Sequence, residues 1–177
     1  MRLVADTHVH LYPCYDLYAA FVSAWHNLGG LDRDFAGKDI LRVLFLTERW
    51  DCFMFQGLKE GKCLHPGFVV RPLAQEEGGL WLELGGAYGS LLLVAGRQII
   101  TRERLEVLAL ATSGRIADGH ALDQIIEEIY ALQGVPILNW SPGKWLGRRG
   151  LAMRRLLETS PSHRFLIGDI SMRPKVW

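Results

Sequence analysis

Apolar residues along the chain come in two rhythms. Leu3-Val4-Ala5 and Ile40-Leu41-Arg42-Val43-Leu44-Phe45-Leu46 are short apolar runs of the kind that buried strands carry. Between them Leu17, Tyr18, Phe21, Val22, Trp25 and Leu28 recur at helical spacing, with Asp16 placed to cap the helix and Gly29-Gly30 to stop it. A polar link, Asp32 to Asp39, leads into the second run. Strand, helix and strand in this order imply a parallel pair joined by a right-handed crossover.

The middle of the chain changes rhythm. Phe68 to Leu73, Leu80 to Leu84 and Ser90 to Ala95 are short strands punctuated by Gly78-Gly79 and Gly85-Gly86. Leu80, Leu82 and Leu84 alternate with Trp81 and Glu83, as in a half-buried antiparallel strand, so a hairpin or meander is expected here. Thr101 to Thr112 reads two ways. Leu105, Leu108 and Ala109 share one face of a helix starting at Thr101, yet Leu105 to Leu110 also fits a strand after a turn at Arg102 to Arg104.

Alternation then returns. Asp118 is expected to cap a helix with Leu122, Ile125, Ile126, Ile129 and Tyr130 on one face and Gly134 at its end. Val135 to Leu138 is the next strand, Leu146 to Glu158 the next helix, and Phe165 to Asp169 the last strand. The order implies an α/β protein with a largely parallel sheet, which leaves room for a partial barrel.

Composition narrows the functional classes. The chain has 177 residues, enough for one domain with a substantial core, and 49% hydrophobic against 22% charged residues is a globular mix. A net charge of +1 gives no global field toward nucleic acid or a membrane. No apolar run approaches the ~18 residues of a membrane span, and Asp6 interrupts the first run too early for a signal peptide. Cys14, Cys52 and Cys63 form no Cys-x-x-Cys spacing, so neither a disulfide framework nor a zinc ribbon is expected and a cytoplasmic setting is the simplest reading. Gly-x-Ser-x-Gly and P-loop spacings are missing.

The candidate chemistry begins at Asp6-Thr7-His8-Val9-His10. Histidines at i and i+2 on a strand point to one face, so His8 and His10 can present two imidazoles to one metal ion from a rigid edge. Asp6 is placed to orient one of the rings as a hydrogen-bond acceptor. Asn139-Trp140-Ser141-Pro142-Gly143-Lys144-Trp145 follows a buried strand at the same expected edge. Lys144 between two indoles suits a small anionic substrate, with Trp140 as a wall and Arg148 just beyond; a loop with Trp140 and Trp145 plugging the core is the other reading. Asp169 ends the last strand, where its carboxylate is placed as a metal ligand or general base. His120, expected in the first turn of a helix, is a further neutral imidazole.

The order of these motifs resembles the polymerase-and-histidinol-phosphatase (PHP) family of metal-dependent phosphoesterases. Asp6-Thr7-His8-Val9-His10 matches that family's Asp-x-His-x-His. Leu46-Thr47-Glu48-Arg49 stands where the family has Thr-Asp-His, Gly96-Arg97-Gln98 where it has Gly-x-Glu, and Ile137-Leu138-Asn139-Trp140 where a strand ends in His-Pro. The resemblance implies a partial or distorted TIM-like barrel with an inserted antiparallel hairpin or meander, and a gap after Trp177 where the family has further strands. It implies a divalent metal (Zn, Mn or Mg) on His8 and His10 with Glu48 and Asp169. Lys144, Arg148 and Trp140 would hold a small phosphorylated substrate, with Asp169 and Lys144 at the chemistry. It also takes Leu105 to Leu110 as a strand. Arg49 has no lone pair to donate and Gln98 has no charge, so the resemblance equally allows a non-catalytic descendant that binds or regulates.

Overall fold

Asp16 starts the first helix as its position requires, because its Oδ1 accepts the backbone N–H of Ala19 at 3.0 Å. The structure, a computed structural model, describes residues 2–30, 40–74, 77–140, 143, 145–159 and 164–169, without the side chain of Asp169. In chain order its elements are β1 (Arg2–Val9), α1 (Leu17–Gly30), β2 (Ile40–Glu48), α2 (Met54–Lys59), β3 (Phe68–Pro72), β4 (Gly79–Leu84) and β5 (Ser90–Ile100). Then come β6 (Glu106–Leu110), α3 (Leu122–Ala131), β7 (Val135–Trp140), α4 (Gly147–Thr159) and β8 (Leu166–Asp169).

The strands form one sheet in the order β1-β2-β5-β6-β7-β8, with β3 and β4 branching from β5. The sheet curls into an open half-barrel. β1, β2 and β5 run parallel, as do β7 and β8. The pairs of β3 with β4, β4 with β5, β5 with β6 and β6 with β7 are antiparallel, so the sheet is mixed rather than largely parallel.

Local chemistry explains the antiparallel centre. The link from β5 to β6 is too short for a crossover helix. It closes as a tight turn in which Thr101 Oγ1 accepts the Leu105 N–H at 3.1 Å and Arg104 sits at φ 61°. This settles the ambiguous segment as a strand. Long β5 serves two partners on one edge, β4 along Ser90–Val94 and β6 along Gly96–Ile100. Gly96 stands at the changeover, where a Cβ would lie 2.9 Å from the Ala109 carbonyl and 3.0 Å from that of Leu46. Only glycine admits that approach of three strands.

Asp118 does not cap α3. Its Oδ1 instead accepts the Ile100 N–H at 2.9 Å, while Glu103 Oε2 takes the Leu122 N–H at 3.1 Å at the head of the helix.

The helices cover one face of the sheet. α1 and α2 pack Phe21, Leu28, Phe55 and Leu58 on Leu46, Leu82 and Leu93. α3 and α4 pack Ile125, Ile129, Met153 and Leu156 on Val107, Ala109 and Leu138. The opposite, inner face holds a small cluster of Leu108, Leu110 and Ile137 with Phe45 against it. Among the described residues no helix is long and apolar enough to cross a membrane.

Candidate functional site

The pairing of β1 with β2 slips between Asp6 and Val9: Asp6 stands opposite Leu44 and Val9 opposite Leu46, so three steps on β1 match two on β2. Such a bulge re-aims every side chain beyond it. Val4 before the bulge and Val9 after it both pack on the helix-covered core, although they differ in parity along the strand. His8 and His10 flank Val9 and therefore turn to the inner face.

Asp6 holds this bulge. Its Oδ1 accepts the backbone N–H of His8 at 3.0 Å. That is a backbone task, where an imidazole partner was expected. Thr47 ties down the following turn by donating its hydroxyl to the Val9 carbonyl at 3.2 Å.

On the inner face the two rings meet edge to face, with centroids 4.9 Å apart and Nε2 of His10 3.1 Å from Nε2 of His8. The same His8 Nε2 lies 3.2 Å from Gln98 Oε1 and 3.6 Å from Glu106 Oε1. Gln98 faces Leu108 across the β5–β6 pair, so it shares the inner surface with that residue and with Glu106.

The other side of His8 is set by Asn139 on β7. Asn139 Nδ2 donates to Glu106 Oε1 at 3.0 Å and stands 3.3 Å from His8 Nδ1. With Nδ2 donating one hydrogen to Glu106 Oε1, the amide is oriented so that its second hydrogen faces Nδ1. This assignment leaves the His8 proton on Nε2, aimed into the space shared by Gln98, His10 and Glu106. Asn139 Oδ1 occupies room that only Gly168 leaves on β8, since a Cβ there would stand 2.6 Å from that oxygen.

Burial pushes the His10 imidazole below its ordinary range, and the neighbouring His8 adds to the shift; the Thr47 backbone and Glu106 oppose it. A neutral His10 ring offers Nε2 as a lone pair. Two imidazole nitrogens, a carboxylate and an amide oxygen thus gather at the carboxyl ends of β1, β5 and β7 and the start of β6.

Glu48 is not part of this group. It follows Leu44 and Leu46 on the helix-covered face of β2, where its Oε1 accepts the Phe55 N–H at 2.6 Å and its Oε2 pairs with Arg97 at 3.3 Å. Burial raises its pKa, and the Phe55 N–H and Arg97 pull the other way. Arg49, next in sequence, pairs with Asp51 at 3.1 Å.

Other sequence candidates are dispersed. Trp140 ends β7 half-buried, opposite Asp169 in register. Trp145 Nε1 donates to the Asn139 carbonyl at 3.1 Å, so this indole braces the strand that carries Asn139. Arg148 is exposed in the first turn of α4. Lys144 and the Asp169 side chain lie outside the described residues. His120 pairs with Glu128 at 2.7 Å, on the helix side of the sheet rather than with the histidine pair.

Glu106 has no counterpart in the sequence reading, because its place depends on a hairpin register. Its signal was a carboxylate two residues before Leu108 on one strand face. Among the described residues no group of three or more His, Cys, Asp or Glu is spaced to hold a metal. No protein-family model matches the chain, and no curated protein matches it.

Proposed function

We propose that this protein is a divergent metal-dependent hydrolase of the PHP type that cleaves a small phosphorylated substrate, with His8 and His10 as its metal ligands. The observation that carries the reading is the 3.1 Å approach of the two Nε2 atoms on the inner face of the sheet. Nitrogens bound at ~2.1 Å to one tetrahedral ion stand about 3.4 Å apart, so the pair is near ligand spacing, and an ion bound there would take the place of the proton that metal-free His8 holds on Nε2. Glu106 and Gln98 supply the adjoining oxygens. Two imidazoles with one carboxylate and one amide oxygen nearby are, by donor type, a set for one ion of borderline character, Zn or Mn, rather than for a multinuclear centre.

A bound metal would polarise a phosphoryl oxygen and lower the pKa of a coordinated water toward ~7. The protein's own groups do the rest. Asn139 and Gly168 fix the His8 ring, Glu106 takes up a proton beside it, and Asp169 at the end of β8 serves as a second base. Lys144, Arg148 and Trp140 receive the substrate anion. Hydrolysis of an aryl phosphate, dependent on added Zn or Mn and abolished in His8→Ala, tests this reading; turnover unchanged by that substitution contradicts it.

A second reading has its own support. Gln98 is uncharged at the heart of the cluster, and Glu48 is bound to Arg97 and the head of α2. Both favour a non-catalytic module that keeps the scaffold and binds an anion. In that case divalent metal leaves the melting temperature unchanged, while an anionic ligand raises it by mass action.

A further inference from the structure

On the helix-covered side of β5, a cavity of about 300 Å³ opens between the β2–α2 link and the segment around Arg115. Trp50, Phe53, Arg97 and Arg115 line it, with Gln98 at its border. Two guanidiniums address one aromatic ring here: the Arg97 carbon lies 5.2 Å and the Arg115 carbon 4.8 Å from the Phe53 centroid. Each contact is favourable alone, but together they bring two permanent cations to one small space.

The two arginines differ in their partners. Arg97 is rigidly held, pairing with Glu48 at 3.3 Å and donating to the Cys52 carbonyl at 2.8 Å. Glu48 is buried and neutralises Arg97 alone. Arg115 is exposed and has no ion pair among the described residues. The cavity therefore carries an uncompensated positive charge beside Trp50, an indole 68% exposed at its rim. An indole this exposed is a platform for a planar ring.

We propose that this cavity binds an anionic group carried on an aromatic ring, the phosphate or carboxylate meeting Arg115 and Arg97 and the ring lying on Trp50. The site contains neither histidine and needs no metal. Gln98 lines the cavity and also touches His8, so it is the one residue named in both.

The test uses the full chain stripped of metal, so that its outcome is independent of the hydrolase reading. Phenyl phosphate is titrated and followed by the Trp indole N–H resonances. Saturable binding that shifts the Trp50 resonance is expected. Arg115→Ala should weaken it by about tenfold or more, the usual effect of losing a hydrogen bond to a charged group. Arg71→Ala, a surface control on β3, should leave it intact. Trp50→Ala should reduce phenyl phosphate to the affinity of inorganic phosphate. Binding of equal strength in wild type and Arg115→Ala, an absence of saturable binding, or equal affinity of wild type for the two phosphates would overturn the proposal.

Discussion

His8 and His10 meet Nε2 to Nε2 at 3.1 Å, a contact that only one proton can occupy. Protonating both rings would place two cations edge to edge, which is part of why His10 titrates below the ordinary 6.5. In the unfolded chain that constraint is gone. Between the lowered folded value and 6.5 the unfolded chain binds a proton that the fold refuses, so stability is complete above 6.5 and falls as the pH drops through the lowered value. For one group the slope cannot exceed about 1.4 kcal/mol per pH unit. Urea midpoints of metal-free protein between pH 7.5 and about 5 should fall more steeply for wild type than for His10→Gln, the window being set by the ordinary histidine pKa. Parallel curves would refute the coupling.

The bulge that turns the pair inward depends on Asp6. Asp6→Ala removes the acceptor of the His8 N–H and should cost about 0.5–1.5 kcal/mol. Its larger effect is on geometry. Ring-to-ring NOE contacts between His8 and His10 should weaken while the rest of the spectrum stays in place. Asp6→Asn, which keeps an acceptor oxygen, should restore them.

Glu48 and Arg97 form a buried pair on the face away from the histidines. Glu48→Ala leaves Arg97 unpaired and strips the head of α2 of its acceptor, so a loss of about 3–5 kcal/mol is expected in chemical denaturation. Metal affinity measured on the folded fraction should be unchanged. A variant that folds normally but loses metal would place Glu48 in the site after all.

Gly168 makes room for the Asn139 amide. Gly168→Ala should cost about 1–3 kcal/mol through overpacking and displace that amide. The reporter is His8: long-range ¹⁵N–¹H spectra should show its proton on Nε2 in wild type and a mixture of tautomers in the variant. An unchanged His8 spectrum would separate Gly168 from the site.

Much of the framework could be read from hydrophobic rhythm. Asp16, the helices around Phe21 and Ile125, and the alternating Leu80–Leu84 strand all stand where local spacing puts them. Errors arose where distant pairing decides. Asp118 looks like a cap in sequence, but the hairpin β5–β6 brings the Ile100 N–H to it first. Glu48 shares the period of Leu44 and Leu46, a clue obscured because Phe45 makes the other face of β2 apolar as well. At the site, the His-x-His spacing and the place of Asn139 at a strand end are plain, whereas the slip that aims the histidines and the approach of Glu106 depend on pairing with other strands.

Equilibrium binding of zinc to the metal-free chain tests the central claim most directly. The account predicts one ion per chain, lost in the His8→Ala/His10→Ala double variant while circular dichroism shows the fold retained. A wild-type chain that folds and binds no ion, or a double variant that binds as tightly, would contradict it.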